Sequence, residues 1–144
     1  MTAPKPGAVI RYAYLWADDV DRGQTEAAKD RPALVVTAAV IDNDGAPYVM
    51  VLAITHSPPS NPSDAIELPI NVKKQIGLDD LPSWIVTIEA NSFRWPGPDI
   101  RPFSGREPST AIYGRIPPAL LSRAAQSYLE NRKNRRGRIV HRAD

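Results

Sequence analysis

The chain has 144 residues, 24% charged and 42% hydrophobic, a globular balance that excludes a disordered protein. It contains no cysteine, and its two histidines, His56 and His141, lie far apart, so disulfides, thiolate metal sites and a cysteine nucleophile are excluded. Net charge is +2 but uneven: residues 1–110 carry 10 basic and 14 acidic side chains, residues 111–144 carry 8 and 2.

A basic end on a mildly acidic body points to an anionic partner, nucleic acid first, or to a solvated helix end. The length suits one domain, expected over residues 1–131 with a basic tail over 132–144. The first residues lack the apolar core of a signal peptide. No apolar run approaches the ~18 residues of a membrane span, so the cytoplasm is the expected compartment.

Val9 to Trp16 is rich in β-branched and aromatic residues, follows Pro6-Gly7, and predicts a strand. Residues 17–30 are polar and aperiodic and predict a long loop, a length often tied to function. Arg31-Pro32 then opens a continuous apolar run, Ala33 to Ile41, as expected of a strand covered on both faces. Asp42-Asn43-Asp44-Gly45 is a turn signal, and Tyr48 to Thr55 predicts the returning arm of a hairpin.

His56 to Ser63 is a proline-rich loop. Ala65 to Leu68 predicts a short strand, Asn71 to Leu78 a helical turn or two, and Ser83 to Ala90 a further strand. Residues 96–108 hold four prolines and two glycines and predict a loop before a last short strand, Thr110 to Arg115. Pro117-Pro118 opens a helix whose apolar stripe is Leu120, Leu121, Ala124, Ala125, Tyr128 and Leu129. Beyond it the basic segment contains Gly137 and is expected to fray. These elements predict a mainly β fold, a small barrel-like sheet with a C-terminal helix.

The order of these motifs resembles the MazF/PemK family of toxin endoribonucleases. The resemblance rests on Pro6-Gly7 before the first strand, a polar loop with Gly23-Gln24 and Glu26, then Arg31-Pro32-Ala33-Leu34-Val35-Val36, and a strand ending in Ala53-Ile54-Thr55. It is strongest over residues 5–56, and Gly114-Arg115-Ile116-Pro117 is similar to the opening of the family's last helix. It implies an SH3-like β-barrel, a homodimer, and metal-independent, cofactor-free cleavage of single-stranded RNA held in check by a cognate antitoxin. It also implies that Arg31 and Thr55 are the catalytic pair. The proline-rich 56–63 loop and the long 91–109 segment depart from the family pattern.

Metal-free RNA cleavage uses the substrate's own 2′-hydroxyl as nucleophile. The planar fork of Arg31 matches a phosphate bidentately and can stabilise the developing charge, unless it merely pairs with Asp30. The Thr55 hydroxyl can donate to a phosphate oxygen, though threonine is also an ordinary strand residue. His56 has the intrinsic pKa of a general acid or base, and can equally serve as a phosphate binder. Glu26 and Asp30 are alternative bases. Ser57 can hold a phosphate and Gln24 can read a base edge. Arg94 and Trp95 offer planes for stacking on unpaired bases, while a core tryptophan is the competing reading. A non-catalytic barrel that binds nucleic acid, or inhibits a protein target such as gyrase, is the alternative function.

Overall fold

The structure, a computed structural model, describes residues 3–27, 29–40, 47–134 and 136–142. Its centre is a three-stranded antiparallel meander of β1 (Ala8–Tyr12), β2 (Arg31–Val40) and β3 (Pro47–Thr55). The predicted hairpin therefore forms, while its turn at 42–45 lies outside the described residues. Both faces of the meander are covered, as the unbroken apolar run predicts. Ile10, Ala33, Val35, Val49 and Val51 enter one cluster, and Val9, Leu34 and Leu52 the other. Each of the valine, leucine and isoleucine side chains contributes about 1.5–3 kcal/mol by leaving water.

The first strand is shorter than its composition suggests. After Tyr12 the chain leaves β2, and the Asn91 side chain replaces the ladder. Its Oδ1 accepts from Leu15 N–H at 2.9 Å and its Nδ2 donates to Leu15 C=O at 2.8 Å. The expected loop then begins with a short helix, α1 (Ala17–Asp21), too brief to leave a period in the sequence. A single 3₁₀ turn, Pro62–Asp64, interrupts the proline-rich loop, with the Asn61 side chain accepting from Ser63 N–H.

β4 (Ala65–Glu67) and α2 (Ile70–Gln75) form where expected. The segment read as one strand over Ser83 to Ala90 is two: β5 (Trp84–Val86) and β6 (Glu89–Arg94). The break has a hydrogen-bonding cause. Thr87 N–H donates to Asp64 C=O at 2.8 Å, and Thr87 C=O accepts from the buried Asn131 amide at 2.9 Å. Thr87 therefore pairs outside the sheet.

β7 (Ile112–Arg115) lies beside β1, and α3 (Pro118–Lys133) packs Leu120, Ala124 and Tyr128 on the second cluster. Its buried stripe is narrower than predicted: Leu129 is 60% exposed, and polar Asn131 is buried instead. The sheet runs β4-β5-β3-β2-β1-β7, with β6 pairing the first half of β3. The expected mainly β fold with a C-terminal helix thus forms around eight strands among the described residues, but the sheet does not close.

The basic end does not fray. β8 (Arg138–His141) pairs in parallel with β6, in the register Glu89↔Arg138. Gly137 is a point of close approach: a Cβ there would meet the Arg132 backbone nitrogen at 3.0 Å and its side chain at 2.9 Å. The absent side chain lets the chain turn directly from α3 into the sheet. Arg136, Arg138 and Arg142 find acids within the fold. The Arg142 side chain, 5% exposed, pairs with Asp99 at 2.9 Å and donates to Ala13 C=O at 2.7 Å.

Candidate active site

Arg31 is the first residue of β2 and Thr55 the last of β3. The ladder between them holds Ala33 opposite Ala53. The paired ladder ends there, and Arg31 and Thr55 lie two residues beyond it at the same end of the two strands. Two motifs 24 positions apart therefore meet at one end of the sheet. They open into a cleft of about 530 Å³ whose wall also includes Trp16, Lys29, Ser57, Asp64 and Glu89.

Arg31 is half-buried, and burial lowers its pKa from the ordinary guanidinium value. Its guanidinium carbon lies 4.9 Å from the Trp16 ring centroid, which holds the planar group in place. The expected alternative, a pair with Asp30, does not form. Asp30 pairs with Arg101 at 3.2 Å and Arg11 at 3.6 Å. Among the described residues Arg31 makes no ion pair, and its buried Nε has no hydrogen-bond partner. An orphaned donor inside a cleft costs about 1–3 kcal/mol unless something accepts from it.

Thr55 Oγ1 accepts from Ser57 N–H at 3.2 Å, which leaves the hydroxyl proton to donate elsewhere. Glu89 was not expected here. It begins β6 and is 8% exposed. Its Oε2 accepts from Ala17 N–H at 2.9 Å and from the Tyr14 hydroxyl at 3.2 Å. Burial, the largest influence, raises its pKa above the usual carboxylate range, although both hydrogen bonds work against that rise. One signal was visible in the sequence: an acid between Ile88 and Ala90, in a segment otherwise fit for burial.

The remaining candidates divide. Ser57 lines the cleft with Arg31 and Thr55. His56 points to a different neighbourhood, its Nε2 2.9 Å from an Asp79 oxygen beside buried Lys73, and does not line the Arg31 cleft. Glu26 and Asp30 line a second hollow of about 450 Å³, which shares Lys29 with the first. Gln24 is exposed on the loop after α1 and lines neither. Trp95 is 4% exposed and packs with Phe93 in the first cluster, as a core tryptophan does. Arg94, opposite Tyr48 in the β3–β6 ladder, lines neither cavity.

Residues 11–93 match the family described as the PemK-like, MazF-like toxin of type II toxin–antitoxin systems. The chain belongs to that family. The match spans both motifs of the cleft, Arg31 and Thr55, as well as Glu89. It ends before α3 and β8, so the C-terminal third of this PemK-like chain lies outside the matched region. No curated protein and no solved structure matches it. Among the described residues no helix is long and apolar enough to cross a membrane.

Proposed function

We propose that this chain is the toxin of a type II toxin–antitoxin pair and a metal-independent endoribonuclease acting on single-stranded RNA. The observation that carries the reading is the Arg31 guanidinium: half-buried, with no ion pair and an orphaned Nε–H among the described residues, in a cleft shared with Thr55 and Glu89. A phosphodiester supplies the missing acceptor. Its non-bridging oxygens match the donor fork of arginine, and charge developing on them is stabilised by a group already in place.

In this mechanism Arg31 grips the scissile phosphate and Thr55 donates a further hydrogen bond to it. Glu89 accepts the 2′-hydroxyl proton, a role suited to a carboxylate whose basicity burial has raised. The 2′-oxygen bonds phosphorus as the bond from phosphorus to the 5′-oxygen breaks; the 5′-oxygen takes a proton from water, and the hydroxide left behind takes the proton from Glu89. The substrate carries its own nucleophile, so the scheme calls for no metal ion. The family supports a cognate antitoxin as protein partner, and a homodimer and the cytoplasm remain part of the same proposal.

The test is incubation of the purified chain with a long single-stranded RNA in excess EDTA, alongside Arg31→Ala. Cleavage by the wild type and a loss of about 10²–10³ in rate for the variant are expected, the usual cost of one preorganised donor. Intact RNA with folded, antitoxin-free wild type would favour a non-catalytic barrel that acts by binding.

A further inference from the structure

The cleft presents a charge problem to an anionic occupant. Among the described residues its wall holds three carboxylates, Asp18, Asp64 and Glu89, against two cations, Lys29 and Arg31. A nucleic-acid strand adds a negative charge at every phosphate, so uncompensated acids there oppose binding. Two of the three are met by the segment after α3. Arg136 forms an ion pair with Asp64 and donates to Ser63 Oγ at 2.7 Å. Arg138 makes a two-point contact with Asp21, at 2.8 and 3.0 Å, and reaches Asp18 at 3.8 Å.

Neither arginine lines the cleft; both hold its wall from outside. The segment that carries them is itself fixed. β8 is hydrogen-bonded to β6 beside Glu89, and buried Arg142 ties its end to Asp99, Ala13 and Asn91. One C-terminal segment therefore holds α1 on one side of the cleft and the 3₁₀ turn on another.

We propose that residues 136–142 form a charge-cancelling clasp, in which Arg136 and Arg138 seat the two acidic walls of the cleft and neutralise them for a single-stranded RNA. The proposal rests on the RNA reading of the cleft. Arg136 and Arg138 are positioning residues: they touch Asp64, Asp21 and Asp18. Because the pairs are partly exposed, each has a modest effect on affinity, about two- to fivefold.

A double-mutant cycle on the full chain tests it, with Arg138→Gln made in the wild type and in an Asp18→Asn/Asp21→Asn background. The probe is a fluorescent 2′-O-methylated RNA strand, which cannot be cleaved through a 2′-hydroxyl. The clasp predicts a two- to fivefold loss of affinity in the Asp background and almost none in the Asn background. Equal losses in both would mean that Arg138 grips phosphate directly, and no loss in either would mean that the pair is irrelevant; each overturns the proposal. Amide exchange of the chain alone gives a second readout. Exchange over Ala17–Asp21 is expected to quicken in Arg138→Gln, and unchanged exchange overturns the seating role. A folded wild type that binds no RNA instead removes the reading of the cleft on which the proposal rests.

Discussion

The backbone N–H of Ala17 donates to Glu89 Oε2 at 2.9 Å, joining residues 72 positions apart. The bond caps the first turn of α1 and at the same time fixes the orientation of a buried carboxylate at the wall of the Arg31 cleft. One contact thus links the stability of the α1 segment to the chemistry proposed for the site.

Glu89→Gln keeps the shape and an acceptor for Ala17 but removes the base. RNA cleavage is expected to fall by about 10²–10⁴, with the acidic limb of the pH–rate profile lost. Stability moves the other way. A carboxyl whose folded pKa is raised contributes stability that is complete below the unfolded value of about 4.3 and lost as pH rises through the folded value. The urea midpoint of Glu89→Gln is therefore expected to gain on the wild type between pH 4 and 7. A gap that does not change with pH would show that Glu89 ionises normally.

His56 faces Asp79 in a half-exposed pair, with side chains 55% and 47% exposed. His56→Ala is expected to leave the pH–rate profile unchanged and to cost no more than about 1 kcal/mol of stability. A pKa lost from that profile would return the imidazole to the mechanism.

Trp95→Ala is expected to act through the core. Its ring packs with Phe93 under the 96–108 loop, so truncation costs about 3–5 kcal/mol in urea or thermal unfolding. RNA affinity measured at a temperature where the variant remains folded should match the wild type. A stable variant with weakened RNA binding would put the ring at the interface instead.

Lys73 is 1% exposed, and its ammonium donates to Asp79 at 2.6 Å, to Ser83 Oγ at 2.6 Å and to Leu81 C=O. Lys73→Met keeps the apolar stem and removes all three donors, with an expected loss of about 1–3 kcal/mol by urea denaturation. The Lys73 hydrogen bond is the main reason that the Asp79 pKa lies below its ordinary value. That contribution is present above the unfolded carboxylate pKa of about 3.9 and lost as pH falls through the lower folded value. Acid titration of stability should therefore be shallower in Lys73→Met, and an identical acid limb would dissociate Asp79 from Lys73.

Local pattern alone was enough to place β2 and β3 and to set Arg31 and Thr55 at their ends. An apolar run bounded by Arg31-Pro32 and a turn signal has one favourable hairpin register, and register fixes what lies opposite what. The C-terminal helix followed equally from its 3.6-residue stripe. What the tertiary structure decided were pairings between distant segments that no local period encodes. Glu89 became a buried base candidate because Ala17 and Tyr14 close over it. His56 was drawn to Asp79, and Trp95 into the core, by neighbours 23 or more residues away or on other strands. The basic end became a strand because β6 offered a free edge and Asp21, Asp64 and Asp99 offered partners for Arg138, Arg136 and Arg142. Charge composition reports how many arginines a segment carries; only the fold determines which of them already have an acid.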